Sequence, residues 1–378
     1  LVPLFTVTTQ PKFFEFVVLM AMIISMVALS IDAMLPALPA IASDLGVTQI
    51  NDSQYVISIL FAGMAIGQMI FGPMSDSIGR KYAINFGFAV FIIGCLVSLL
   101  AETFTIMLIG RFLQGLGAAG PRVVSTALVR DRYEGREMAR VMSFVMTIFI
   151  LVPIVAPALG QAILIFSDWR GIFWMFLFLS VLVLSWFNLR QPETLALENR
   201  IKFSIKQVSS DIRYIFIIPA AVGYTVAAGI VFGAFLGYLS SSQQIFQQQY
   251  GLGDQFVIYF GILAASLGVA SLLNAKLVMR FGMRRLSHGA TLCIAVLSVP
   301  FYFLAQHSAG NPPLGQFMAY LLVVFFFVGI LFGNLNALAM EPLGSVAGLG
   351  AAVVGSLSTL ISVVLGVAIA NAYDGTVM

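Results

Sequence analysis

Apolar stretches long enough to cross a lipid bilayer follow one another along almost the whole chain, and no other feature constrains the fold as tightly. A spanning helix needs about 20 mostly apolar residues. In lipid, a backbone satisfies its polar groups only within helices or a closed barrel. Eleven such stretches are read, at 14–40, 54–72, 82–101, 105–128, 139–165, 171–189, 214–240, 254–275, 286–306, 316–339 and 344–371. Of the 378 residues 60% are hydrophobic and only 9% charged, against roughly 25% charged in an average soluble domain. The expected fold is therefore an all-α polytopic membrane protein. Pro36, Pro39, Pro153 and Pro157 fall inside spans, where neighbouring helices can satisfy the backbone groups a proline frees.

The placement of charge sets the expected orientation. With the N-terminus put in the cytoplasm, sixteen of the 19 lysines and arginines fall in inner segments. One, Arg170, falls in an outer loop, and Arg111 and Arg122 lie within span four. Basic residues concentrate on the cytoplasmic side of membrane proteins. The first apolar run is too long for the core of a signal peptide, so it reads as the first helix. The net charge of +3 adds little. Cys95 and Cys293 lie in apolar stretches and read as small buried hydrophobes. Neither the cysteines nor the two histidines have metal-ligand spacing, and no cofactor or nucleic-acid partner is expected.

The longest polar link, 190–213, separates six spans from five. A weak repeat supports the same division, since Gly79 after span two has a counterpart in Gly282 after span eight. Parallel six-helix repeats are one transporter layout. The expected organisation is a first bundle at 14–189, a central cytoplasmic loop at 190–213 and a second bundle at 214–371. That second bundle is one helix short, so eleven of twelve helices are expected in the chain.

Three segments carry chemistry. The loop Gly72-Pro-Met-Ser-Asp76-Ser-Ile-Gly79-Arg80-Lys81 offers a turn glycine, two anchoring cations and a carboxylate suited to a helix N-terminus; alone it also fits an ordinary charged turn. Asp131, at the end of span four, can pair with Arg80. In span four, Arg111, Gln114, Gly115, Ala118 and Arg122 share one face. An arginine inside a span is costly and faces a partner or a watery cavity, unless it snorkels to the interface. In span five Pro153, Pro157 and Gly160 share a face, with Ala156 beside them. Asp32 is the one acid among 16 placed well inside a span. It lies about 18 residues from the inner end of span one, and Arg111 about six from the outer end of span four, so both fall in the outer half at about 1.5 Å per residue. Burial raises a carboxyl pKa and a nearby arginine lowers it. The pair can thus load and release a proton, or form a static ion pair.

The loop Gly72, Asp76, Gly79, Arg80, Lys81 resembles the signature of the major facilitator superfamily, at the position between spans two and three where that family carries it. Span four resembles that family's segment whose arginine is associated with proton coupling. Span five is similar to the antiporter signature, with Pro153 and Ala156 where glycines are usual and Gln161 in place of the last glycine. Pro153-x-x-Ala156-Pro157-x-x-Gly160, Asp32-Ala-Met-Leu-Pro36 and Ala339-Met-Glu341-Pro342 look like the bicyclomycin/chloramphenicol-resistance (Bcr/CflA) branch of drug:proton antiporters. The resemblance implies a monomeric carrier of the inner membrane that exchanges small solutes for protons through Asp32 and Arg111, with Asp76 held against span eleven. Gln114, Arg122, Tyr224, Phe232, Phe235 and Tyr238 would then line its substrate cavity. The apolar and aromatic second half suits lipophilic solutes; a sugar, peptide or siderophore carrier of the same fold is the rival. A phosphate-binding Gly-Lys loop is absent, since no lysine follows a glycine. An intramembrane aspartyl protease built on Asp254 and Asp374 has its two halves in reversed order and both acids at outer helix ends.

With Cys95 and Cys293 replaced by serine, single cysteines at Ser77 and Ser209 should react with impermeant maleimide only from the cytoplasm, and one at Ser308 only from outside. Reversed labelling would overturn the orientation.

Overall fold

The structure is a computed structural model that describes residues 11–200 and 205–377; Lys202, one of the inner cations counted above, lies outside them. Among the described residues the secondary structure is entirely helical. The α-helices are α1 (Phe13–Asp32), α2 (Leu38–Asp44), α3 (Tyr55–Ile78), α4 (Arg80–Leu99), α5 (Phe104–Arg132), α6 (Gly135–Phe166), α7 (Arg170–Arg190), α8 (Ile205–Ile217), α9 (Pro219–Gln243), α10 (Phe256–Phe281), α11 (Met283–His307), α12 (Leu314–Met340) and α13 (Ala347–Asn371). Among the described residues ten helical stretches, α1 and α2 forming one, are long and apolar enough to cross a membrane. The expected fourth span, α5, has the length at 29 residues but not the apolarity, because it carries Arg111, Gln114 and Arg122. It is covered chiefly by α3 and α4, so its polar positions are shielded from lipid.

The prolines divide into two kinds. Pro36 and Pro39 break the first span: α1 stops at Asp32, a single 3₁₀ turn follows at Leu35–Ala37, and α2 resumes at Leu38. Pro153 and Pro157 sit inside the unbroken α6. The central link also differs from expectation. It contains α8, which runs past residue 213, and the first long helix of the second bundle starts at Pro219 rather than 214. Proline at the first helical position forfeits no intrahelical hydrogen bond, so Pro219 starts a new helix.

In the first bundle α5 packs on α3 and α4, and α6 on α1; in the second, α9 packs on α13, and α12 on α10 and α11. The halves meet along α3–α13 and α6–α10. The repeat is visible in the backbone. Gly79 ends α3 at φ 107°, ψ 157°, and Gly282 ends α10 at φ 77°, ψ 154°. These positive φ values favour glycine. The two turns lie at the end of the molecule that gathers the arginine- and lysine-rich segments, hereafter the basic end.

α3 and α5 touch backbone to backbone: a Cβ on Gly115 would collide with the Leu60 carbonyl, and one on Gly63 with the Phe112 carbonyl. Small residues allow such close approach in membranes. Gly115→Ala should therefore lower stability by about 1–3 kcal/mol, seen as a reduced melting temperature in detergent. An unchanged melt would show that the two helices have slack.

Candidate functional site

The break after Asp32 places a carboxylate at the end of a helix, inside the bundle and 5% exposed. The expected ion pair with Arg111 does not form. Arg111 is fully buried, and its guanidinium donates to the carbonyls of Val56 (3.0 Å, from Nε) and Ser30 (2.9 Å, from Nη2) and to Gln114 Oε1 (2.7 Å). Ser30 lies in the last turn of α1, where partial negative charge favours a cation. Arg111 is thus held by the end of the broken helix rather than by its acid. Among the described residues nothing hydrogen-bonds or ion-pairs with the Asp32 carboxylate.

Gln114 was expected in the cavity and is not there. It is fully buried inside the first bundle, accepting from Arg111 and donating to Cys95 Sγ on α4 (2.9 Å). A face drawn over Arg111, Gln114 and Arg122 is wide enough to touch both α3 and α4, and Gln114 falls on the α4 side. Gly160 of α6 meets the broken helix directly, since a Cβ there would collide with the Ala33 carbonyl, next to Asp32. Ala156 and Pro157 are buried on the same helix, with Pro153 half-buried. The antiporter-type segment therefore brings α6 up to the break.

Across the interface stands an aromatic wall. Phe232 stacks on Phe235, and both meet Phe332 of α12 edge-on at 5.4 Å. Tyr238 meets Phe325 at 4.7 Å, and Phe260 of α10 stacks on it. Phe61 of α3 reaches over from the first bundle to Phe232, 5.6 Å between centroids. The Tyr238 hydroxyl is buried and has no hydrogen-bond partner among the described residues. Tyr224 does not belong to this wall; it packs nearer the basic end, among Ala221, Ala228 and Leu335 of the second bundle. Beside Asp32's helix, an almost wholly apolar cavity of about 240 Å³ is lined by Met22, Met26, Leu29, Val152, Ala156 and Leu179.

At the basic end the expected pairing of Arg80 with Asp131 is present (2.9 Å), and Arg80 also pairs with Asp76. The Asp76 carboxylate lies 3.8 Å from where a Cβ on Gly348 would sit, at the start of α13. Glu193, from the link after α7, completes the assembly. Its carboxylate accepts from the backbone N–H groups of Arg80 and Lys81 (both 3.0 Å), which opens α4, and from those of Thr194 and Leu195. Thr194 donates to Asp131. A Cβ on Gly79 would stand 2.5 Å from Glu193 Oε2, so the motif glycine leaves room for this acid as well as for its own positive φ. The second repeat keeps a looser version, with Arg284 paired to Glu341 at 3.1 Å, both well exposed.

The family model of the Major Facilitator Superfamily matches residues 19–367. The chain belongs to this superfamily. It is similar to the uncharacterized MFS-type transporter YdgK of Bacillus subtilis (strain 168), 31% identical over 91% of this chain and 85% of that one. It is also similar to a bicyclomycin resistance protein homolog of Haemophilus influenzae, 29% identical over 96% and 90%. In fold it is like the partially occluded inward-open xylose transporter XylE of E. coli, with TM-score 0.70 at 13% identity, over 96% of this chain and 92% of that one. The protein is a multi-pass membrane transporter, and the aspartyl-protease reading falls away.

In this superfamily member the end opposite the basic one is closed by amides. Gln54 donates to Gln244 across the two bundles. Asn51 donates to the Tyr373 carbonyl (2.8 Å), Asn371 to the Tyr55 hydroxyl (3.0 Å) and Gln161 to Asp254 (2.9 Å). A π-helical turn at Gln244–Gln249 extends α9 into this cluster. A polar recess of about 570 Å³ lies over it, lined by Gln49, Asn51, Gln248, Gln249, Tyr373 and Asp374 among others. Hydrogen bonds from Thr376 hold the Asp374 carboxyl below the usual carboxylate range, and burial pushes the Tyr250 phenol up to about 12. Sequence reasoning missed this cluster, although the glutamines at 243, 244 and 247–249 signal it. It also missed Phe61, Phe325 and Phe332, the last two seven residues apart on one helix face, and Glu193, an acid in a basic link.

Glu193→Ala removes the acceptor for four backbone donors and should free the loop after α3. The expected result is faster labelling of a cysteine at Ser77, with transport reduced severalfold at normal membrane insertion. Unchanged labelling would mean the loop holds its shape without the link.

Proposed function

We propose that the protein exports drug-like, lipophilic solutes across the inner membrane in exchange for protons. The observation that carries this reading is the isolated Asp32 carboxylate at the helix break, opposite an aromatic wall on the other bundle. Aromatic side chains offer large, shape-tolerant apolar area, and an acid without a fixed cation can alternate between charged and neutral forms. The bicyclomycin resistance homolog lends its name to the same reading.

The basic end is read as cytoplasmic, so the amide-closed end faces outward and the conformation is closed to the outside. The first bundle, α1–α7, and the second, α9–α13, are joined by the link that carries α8 and rock as a monomer about the Asp32 level. Protonation of Asp32 from outside displaces cargo, and its release inside readmits cargo. Arg111, fixed by carbonyls, keeps the helix break in shape while Asp32 titrates; arginine itself retains its proton.

Asp32→Asn keeps the size of the side chain and cannot cycle charge. In proteoliposomes it should lose pH-gradient-driven accumulation of Nile red by at least about tenfold, while downhill cargo exchange persists. Full pH-driven accumulation by this variant would remove Asp32 from the coupling. Wild-type accumulation that a protonophore leaves untouched would remove the proton.

A further inference from the structure

Arg122 is a charge the transport cycle above does not use. It lies three turns from Arg111 on the same face of α5, ten residues before that helix ends at Arg132. At about 1.5 Å per residue this is ~15 Å from the basic end, near the middle of a hydrocarbon core of about 30 Å. Among the described residues no carboxylate is within ion-pair distance of it; its hydrogen-bond partner is Met64 Sδ of α3, at 3.5 Å. A thioether is a weak acceptor and leaves the positive charge uncompensated. Arg122 is nevertheless exposed, unlike Arg111. The main packing partners of α5 are α1, α3, α4 and α6, all in the first bundle. Arg122 therefore sits on a part of α5 that its first-bundle neighbours leave uncovered, and its partner Met64 lies on α3, the helix that meets the second bundle along α13.

The charge balance within the spans is also uneven. Arg111 and Arg122 are two cations against the single carboxylate of Asp32, and Arg111 is fully buried with each of its three nitrogens already donating to a protein oxygen. A charge inside a span demands a partner, and among the described residues Arg122 has a thioether but no carboxylate. Its neighbour on α3 defines the surroundings. Met64 is one helical turn from Phe61, whose ring meets Phe232 of the second bundle. An oxyanion on Arg122 would thus place an attached apolar or aromatic body beside Phe61 and Phe232.

We infer that Arg122 anchors the anionic group of an amphiphilic cargo, an organic carboxylate or similar oxyanion whose apolar body rests on the Phe61–Phe232 contact. This rests on the reading of the space between the bundles as the cargo site. Guanidinium binds carboxylate through two parallel hydrogen bonds, so the anchor selects for charge and planarity together.

The test uses a matched fluorescent pair, dansylglycine with a carboxylate and dansylglycinamide with a neutral amide, titrated onto the purified protein in lipid nanodiscs at pH 7. The wild type should bind dansylglycine tighter by about tenfold or more, as expected for a charge-assisted hydrogen-bonded pair. In Arg122→Gln the affinity ratio should fall to about one, and Arg122→Lys should keep part of the preference. Thermal melts of both variants confirm that they are folded. A wild type that binds the two probes alike, or binds neither, overturns the inference, as does an Arg122→Gln variant that keeps the preference. Nile red accumulation by the wild type separates the two readings. Accumulation without carboxylate preference sinks the anchor and leaves export standing; carboxylate preference without accumulation sinks export and leaves the anchor.

Discussion

A guanidinium in the middle of a bilayer must find oxygen ligands or an opposite charge, and the way Arg111 finds them organises the first bundle. Its three hydrogen bonds run to Ser30 of α1, to Val56 of α3 and to Gln114 of its own helix. One side chain therefore ties three helices at one depth. Removing a partner from a buried charge costs more than the pair gains, so these helices cannot drift apart singly. Because the cation is satisfied by carbonyls, Asp32 is left without an internal counter-ion. The break at Pro36 matters here in a second way: it ends α1 just beyond Ser30 and leaves the Ser30 carbonyl for Arg111.

The two ends of the molecule are held by different chemistry. At the basic end the ties are ionic: Asp76, Arg80, Asp131 and Glu193 share a network in which Arg80 is almost wholly buried. Most of these contacts lie within the first bundle and its link, so they stiffen one half while leaving the halves free of each other. The opposite end is closed by uncharged amides that cross between the halves, Gln54 to Gln244 and Asn51 to the segment after α13. Neutral hydrogen bonds are each worth about 1 kcal/mol net, which suits a closure that must open on every cycle. Water can replace amide partners at little cost, whereas a buried ion pair would resist opening.

Much of this was legible in the chain itself. Apolar length and the sidedness of lysine and arginine gave the helices and their alternation. The Arg80–Asp131 pair followed from a loop motif and a helix end whose positions along the chain are nearly fixed by topology. The Asp32–Arg111 pair did not follow, because depth alone sets how far along the membrane two groups lie, not which way they turn. Backbone carbonyls freed by a helix break compete for a guanidinium, and no residue letter announces them. Gln114 was misplaced for a related reason: a helix as enclosed as α5 has neighbours on several sides, and a shared face does not say which neighbour each residue meets. Glu193 lies more than a hundred residues from the turn it caps, a distance only the fold closes.

The asymmetry between the repeats follows from that same acid. Gly79 and Gly282 have nearly the same backbone conformation, so the turn itself is preserved in both halves. Among the described residues nothing lies within 4 Å of a Cβ built on Gly282, whereas Glu193 and Arg200 crowd Gly79. The link after α7 passes over the first of the two turns, since it leaves the first bundle beside α4, where Asn188 accepts from Asn85 at 2.9 Å. At the second turn Met279, 86% exposed, stands in place of the acid, and Arg284 holds Glu341 in the open. A duplicated motif thus kept its full charge set in the copy that the link covers. In the other copy only the part that shapes the backbone and one exposed ion pair remain.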